Sequence, residues 1–180
     1  MSPIKTTFLA IIVVIADQLS KWAVMEHILR PLYPLDNAPR GLTDWVMDAP
    51  ERLPYLAADA LPFFNWVVVW NQGVSFGMLS NNTDYGPYLL IALSFVIAIG
   101  FAIWMFRTQN TAHHWGIGLV IGGAIGNVID RFRFGAVFDF LDVHVFGLHW
   151  PAFNIADSAI CVGVFILMIY AFLFEKNLQS

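Results

Sequence analysis

Residues 87–106 carry no charged side chain, and neither do residues 158–174. At about 1.5 Å of rise per residue, a helix of about 20 residues crosses a hydrocarbon layer of about 30 Å. Such runs leave a chain few folds, because in lipid only helices and closed barrels satisfy their own backbone polar groups. Two more stretches share the texture: residues 6–25, interrupted by Asp17 and Lys21, and residues 115–130, ending at Asp130. The expected fold class is an all-α integral membrane protein with four transmembrane helices, near residues 6–25, 87–106, 115–130 and 154–174. With 58% hydrophobic and 12% charged residues, the composition is too apolar for an ordinary soluble domain of 180 residues. Lys5 ahead of the apolar run at 8–16 also suits a cleavable signal peptide, but Asp17, Lys21 and the lack of an A-x-A site favour a retained span.

Four alternating spans place both termini on one side and the long connections, residues 26–86 and 131–152, on the other. The whole chain, 1–180, then reads as a single membrane-embedded domain. A formal net charge of −4 offers no basic surface, so nucleic acid is excluded as a partner. The single cysteine, Cys161, rules out an internal disulfide and reads as a small buried apolar residue.

The first long connection begins with a Pro-rich, acidic stretch, residues 31–62, which reads as irregular with at most a short helix near residues 55–61. NWVVVWNQGVSFGML (residues 65–79) then gives a strand-turn-strand signal. VFDFLDVHVFGLHW (137–150) is also strand-like, with Gly147 as its bend. A small β platform over the outer helix ends is expected. Within the third span, Gly118, Gly122 and Gly126 stand four apart, the spacing that lets helices approach closely. His113 and His114 fall in the short connection on the opposite side.

Polar residues gather at one depth. Asp17 lies roughly 18 Å along the first span from Lys5, and Lys21 roughly 24 Å. The third span meets Asn127, Asp130 and Arg131 at its far end, and Asn154 and Asp157 open the fourth on that same side. Ionisable groups at such a boundary are costly unless paired or solvated, so they mark either function or structural clamps. Asp17 and Lys21 are i,i+4 on one helix, and Asp130 has arginines nearby, so both readings stay open for these residues and Arg131.

Asp139, in AVFDFL, and Asp157, in NIADSA, have no obvious cationic partner. Two carboxylates at one water–lipid boundary can share a proton, one activating water while the other protonates a leaving amine. That is aspartic peptide hydrolysis; helix capping by Asp157 and solvation of Asp139 are the plainer alternatives. A metal site from His144, His149, Asp139 and Asp142 lacks a recognisable ligand motif, and Ser158 lacks a nucleophile elbow. A proton relay or small transporter would leave polar residues through the depth of the bundle, where the inner halves of the spans carry none. A non-enzymatic lipid-binding protein is the remaining rival, and it would tolerate loss of one carboxylate.

ADQLSKW (16–22), WNQGVSFG (70–77), GGAIGNVIDR (122–131), GAVFDFLD (135–142) and FNIADSAI (153–160), taken in order, resemble the lipoprotein signal peptidase, or signal peptidase II, family. The resemblance implies four transmembrane helices with a small extracytoplasmic β-cradle and a periplasmic loop or helix. It implies an aspartic endopeptidase that removes the signal peptide of diacylglyceryl-modified bacterial prolipoproteins, cutting before the lipid-modified cysteine. By motif, the catalytic pair falls on Asp139 and Asp157, and supporting or substrate-binding residues on Asp17, Lys21, Asn71, Gly73, Asn127, Asp130, Arg131 and Asn154. The implied partners are prolipoproteins and membrane lipid, with no metal or organic cofactor, and the implied working form is a monomer.

Two features depart from the pattern. Residues 36–58 exceed the expected length there and read either as an enlarged lid over the substrate groove or, the favoured reading, as a surface insertion without a role. Lys and Arg are also more numerous on the far side than beside the termini, against the positive-inside tendency. Much of that excess lies in a long loop or beside the proposed site, so the family's arrangement is retained: bacterial cytoplasmic (inner) membrane, termini in the cytoplasm, site on the extracytoplasmic side.

Overall fold

The computed structural model of the chain describes residues 1–73 and 86–175. Helix α1 (Pro3–Val24) continues through a π-helical turn, Met25–Leu29, into a 3-10 turn, Arg30–Leu32, where Pro31 ends the helical run. A short helix α2 (Leu42–Met47) and strands β1 (Ala57–Leu61) and β2 (Phe64–Asn71) follow. Then come α3 (Gly86–Arg107), α4 (Thr111–Phe134), β3 (Val137–Val145), β4 (Leu148–His149) and α5 (Ile155–Tyr170), which runs on as a π-helical turn, Ala171–Glu175.

Among the described residues, three helical stretches are long and apolar enough to cross a membrane: Pro3–Leu32, Tyr88–Arg107 and Ile155–Leu173. These show exposed apolar side chains, such as Phe8, Ile12, Val96, Ile99, Phe165 and Met168, as a lipid-facing surface requires. Helix α4, which contains the third expected span, is long enough at 24 residues but richer in Gly and His. It differs because much of it, including Ile117, Val120, Ala124 and Val128, is buried against protein. Cys161 lies on an exposed face of α5, not in the core: beside lipid, an apolar run need not be buried in protein.

The residues divide into two compact units. The first comprises Met1–Asp17, Ile91–Val128 and the chain from Ile155 onward. Its core is glycine-mediated. A Cβ at Gly122 would come within 2.7 Å of the Ala10 carbonyl and Val13 Cβ, and one at Gly116 within 2.9 Å of the Gly163 carbonyl. Thus α4 meets α1 on one face and α5 on another at backbone distance. Asn110 Oδ1 accepts the Ala112 N–H at 2.8 Å and so begins α4. His113 and His114 therefore belong to the helix rather than the connection, and both are buried, His114 within 2.7 Å of Thr6 Oγ1.

The second unit, Gln18–Leu90 with Ile129–Asn154, holds an antiparallel sheet in the order β1-β2-β3-β4. Strands β2, β3 and β4 match the expected pattern, with the β3–β4 turn at Phe146–Gly147. The second half of the expected strand-turn-strand, residues 74–79, lies outside the described residues. β1 corrects the expected helix near 55–61: its alanines favour helix, but a tight turn at Pro62–Phe63 folds the segment back on β2, and pairing overrides propensity.

Residues 36–58 are likewise no mere surface insertion. Trp45, on α2, and Leu53 are buried. Trp45 lies 5.6 Å from Phe134, and Arg133 stacks 5.0 Å over the Trp45 ring while donating to its carbonyl. Trp70 donates to Leu53 O at 2.9 Å and stacks near Phe134 and Phe138.

Candidate active site

In the sheet, Asp139 sits on β3 opposite Val69, almost wholly buried. Two side-chain amides hold its carboxylate: Asn154 Nδ2 donates to Oδ1 at 2.7 Å, and Asn71 Nδ2 to Oδ2 at 3.1 Å. Asn71 is itself fixed, since its Oδ1 accepts the N–H of Gly73 at 2.8 Å. Gly73 has φ +84, a conformation that favours glycine, and a Cβ there would collide with Leu90. The motif's glycine thus shapes the turn that aims Asn71.

The start of β3 is clamped from two helices. Asp130, on α4, accepts from Lys21 Nζ at 2.8 Å and from the Phe138 N–H at 3.0 Å through Oδ2, and from Gln18 Nε2 at 2.9 Å through Oδ1. Lys21 and Asp130 are fully buried, so losing either partner would strand a charge, and the bond from the Phe138 N–H to Asp130 fixes the Val137–Phe138 peptide beside Asp139. The partner expected for Asp130 was an arginine; the short contact is with Lys21. Arg131 lies beside them on α4, partly buried.

In the first unit, Asp157 occupies the opening turn of α5, and Asn127 Nδ2 donates to its Oδ1 at 2.7 Å. Asp17 is buried on α1, and its Oδ1 accepts the Ala156 N–H at 3.0 Å, which satisfies an orphan donor of that turn. A Cβ at Gly126 would lie 2.7 Å from Asp17 Oδ2, so the glycine leaves the carboxylate its place. Asp139 and Asp157 belong to different units, each with its own asparagine.

Two polar groups escaped the sequence reading. Gln18 both holds Asp130 and receives Arg133 Nη1 at 3.4 Å; it stands inside ADQLSKW, between Asp17 and Lys21, and that position was the available signal. Glu26 and Arg30 form a buried pair that also grips Asp36, at 2.7 Å from Arg30, and the Arg40 N–H at 2.9 Å; their i,i+4 spacing was the available signal. Asp142 meets His149 at 2.9 Å, and among the described residues no group of three or more His, Cys, Asp or Glu is placed to hold a metal.

Helices of membrane-crossing length, joined in one chain to a sheet that buries a carboxylate between two amides, define an integral membrane protein with a polar site built around that carboxylate. The family model described as signal peptidase (SPase) II matches residues 9–173. A lipoprotein signal peptidase of Syntrophotalea carbinolica is 41% identical over 155 residues, spanning 84% of this chain and 92% of that one. One from Polynucleobacter necessarius is 36% identical across 100% of this chain and 98% of its own. A solved structure described as a bacterial membrane enzyme superposes with a TM-score of 0.70 at 26% identity, over 94% of this chain and 93% of that one. The chain belongs to the signal peptidase II family and is a membrane aspartic peptidase.

Proposed function

We propose that this peptidase cleaves diacylglyceryl-modified prolipoproteins just before the lipid-modified cysteine, with Asp139 and Asp157 as its catalytic pair. The observation that carries the reading is the Asp139 carboxylate, buried and held by Asn154 and Asn71 within the family's motifs. One carboxylate takes a proton from water as the water oxygen bonds to the scissile carbonyl carbon. The other, protonated, delivers its proton to the amide nitrogen as the C–N bond breaks, leaving a carboxyl on the signal peptide and an amine on the lipidated cysteine. No metal or organic cofactor enters.

Asp17, Lys21, Asn127, Asp130 and Arg131 support the pair, and Asn71, Gly73 and Asn154 form the strand-side wall that meets substrate. In this reading the chain is one functional domain. It crosses the bacterial cytoplasmic membrane four times, α4 included, with termini in the cytoplasm, the sheet on the outer side, and a monomer as the working unit.

The test is cleavage of a diacylglyceryl-modified prolipoprotein by purified wild type, Asp139→Asn and Asp157→Asn, each with and without chelator. Cleavage before the modified cysteine, abolished by either substitution and indifferent to chelator, is expected. Full activity in both variants would overturn the assignment.

A further inference from the structure

Both hairpin turns lie at one end of the sheet. β1 turns into β2 at Pro62–Phe63, Phe64 pairs with Val143, and two residues beyond that pair β3 turns into β4 at Phe146–Gly147. This end is apolar and uncovered: Phe146 is 101% exposed, Leu148 80% and Trp150 69%, with Leu61, Phe63 and Val145 each more than half exposed. Around them stand polar-tipped groups: exposed Asp59, and His144 stacked 4.8 Å from His149, which pairs with Asp142. The segment Val143–Phe153 also lines a shallow apolar groove of about 530 Å³.

We infer that this end of the sheet is a membrane anchor, with Phe146, Leu148 and Trp150 seated in the interfacial layer of the bilayer. The backbone supplies the first reason. Phe146 has φ 50 and Gly147 φ 78, a turn in which Asn-Gly is usual and a bulky residue is disfavoured. The Phe146 side chain touches nothing that would offset this, being wholly exposed, so the offset comes from an external apolar medium. Chain length supplies the second. Ile155, where the membrane-crossing stretch Ile155–Leu173 begins, comes five positions after Trp150, so the chain lets Trp150 stand no more than about 18 Å from it. Chemistry supplies the third: apolar bodies rimmed by indole and imidazole match the headgroup boundary, where tryptophan gathers. A soluble partner would account for the exposure but not for the tether.

The consequence for catalysis rests on the proposed peptidase reading: an anchored tip holds β3, and Asp139 with it, at the depth where a lipid-tethered substrate presents its bond.

Depth is measured first, without any activity. In a Cys161→Ser background, nitroxide labels are placed through Phe146→Cys, Leu148→Cys and, as a water-facing control, Glu51→Cys, in full-length protein in phosphatidylethanolamine–phosphatidylglycerol vesicles. Labels at 146 and 148 should be readily relaxed by oxygen and shielded from a water-soluble nickel chelate, with the label at 51 the reverse. Nickel access at 146 and 148 equal to that at 51 overturns the anchor. So does shielding from both reagents that deepens with protein density, which would show a second copy on this face. In the activity arm, Phe146→Ser combined with Leu148→Ser should raise KM for vesicle-borne prolipoprotein at least about threefold with kcat within about twofold, and match wild type in detergent micelles. If wild type cleaves nothing, the peptidase reading falls while the label depths still decide the anchor.

Discussion

Asn154 holds the carboxylate of Asp139 through its side-chain amide at 2.7 Å, from a position three residues ahead of Asp157. The two proposed catalytic carboxylates thus have one common neighbour, bound to the first by a hydrogen bond and to the second by a few peptide units.

Truncating that neighbour should damage catalysis more than stability. A hydrogen bond to a charged group contributes about 1.5–3 kcal/mol, so Asn154→Ala is expected to lower kcat by about 10- to 100-fold. Asn71→Ala, which removes the longer contact of 3.1 Å, should cost less. Steady-state cleavage assays beside thermal unfolding check this; an unchanged kcat for Asn154→Ala would show that the contact does not orient Asp139.

The Lys21–Asp130 pair should behave as a clamp. Removing one partner of a buried ion pair costs about 3–5 kcal/mol, so Lys21→Met should lower the unfolding midpoint sharply. Lys21→Met with Asp130→Asn, which also removes the stranded charge, should recover part of the loss. Strictly additive effects in this double-mutant cycle would mean that the 2.8 Å contact carries no coupling.

The segment around α2 should prove structural. Trp45→Ala deletes a buried indole packed on Phe134 and Arg133, for an expected loss of about 3–5 kcal/mol. Limited trypsinolysis offers a local readout, since cutting at Arg40 and Arg52 should accelerate in this variant. Unaltered protection would return residues 36–58 to the status of dispensable surface.

Asp17 should matter through the end of α5. Losing its bond to the Ala156 N–H removes a cap worth about 1 kcal/mol, so Asp17→Ala should destabilise modestly while slowing cleavage more than that loss implies, because Asp157 sits on the next residue. Gly126→Ala, which crowds Asp17 Oδ2, should mimic it. A drop in stability with kcat unchanged in both would assign Asp17 to folding alone.

Much of this was legible in the residues. The uncharged runs marked α3 and α5, and β-branched and aromatic content beside turn residues marked β2 and β3. Clustered polar residues at one depth singled out Asp139, Asp157, Asn127 and Asn154 as candidates, and the family's motifs added Asn71. What stayed hidden depends on partners distant in sequence. β1 is a strand because β2 lies beside it, and Trp45 is buried because Arg133 and Phe134, far along the chain, come to cover it. Lys21 and Asp130 are separated by more than a hundred residues, so neighbouring-charge logic offered an i,i+4 partner and nearby arginines instead of the observed pair.

The glycines of α4 leave the chain an asymmetry in what it can change. Where two helices touch backbone to backbone, as at Gly122 against Ala10 and Gly116 against Gly163, no side chain remains to be swapped for a larger or smaller one. The outward faces of α3, with Leu93, Val96 and Ile99, meet no such limit and can drift among apolar residues. Variation in this chain should therefore run freely along its lipid-facing rind while the glycine seams stay fixed, and attempts to retune the enzyme should begin in the sheet and its loops.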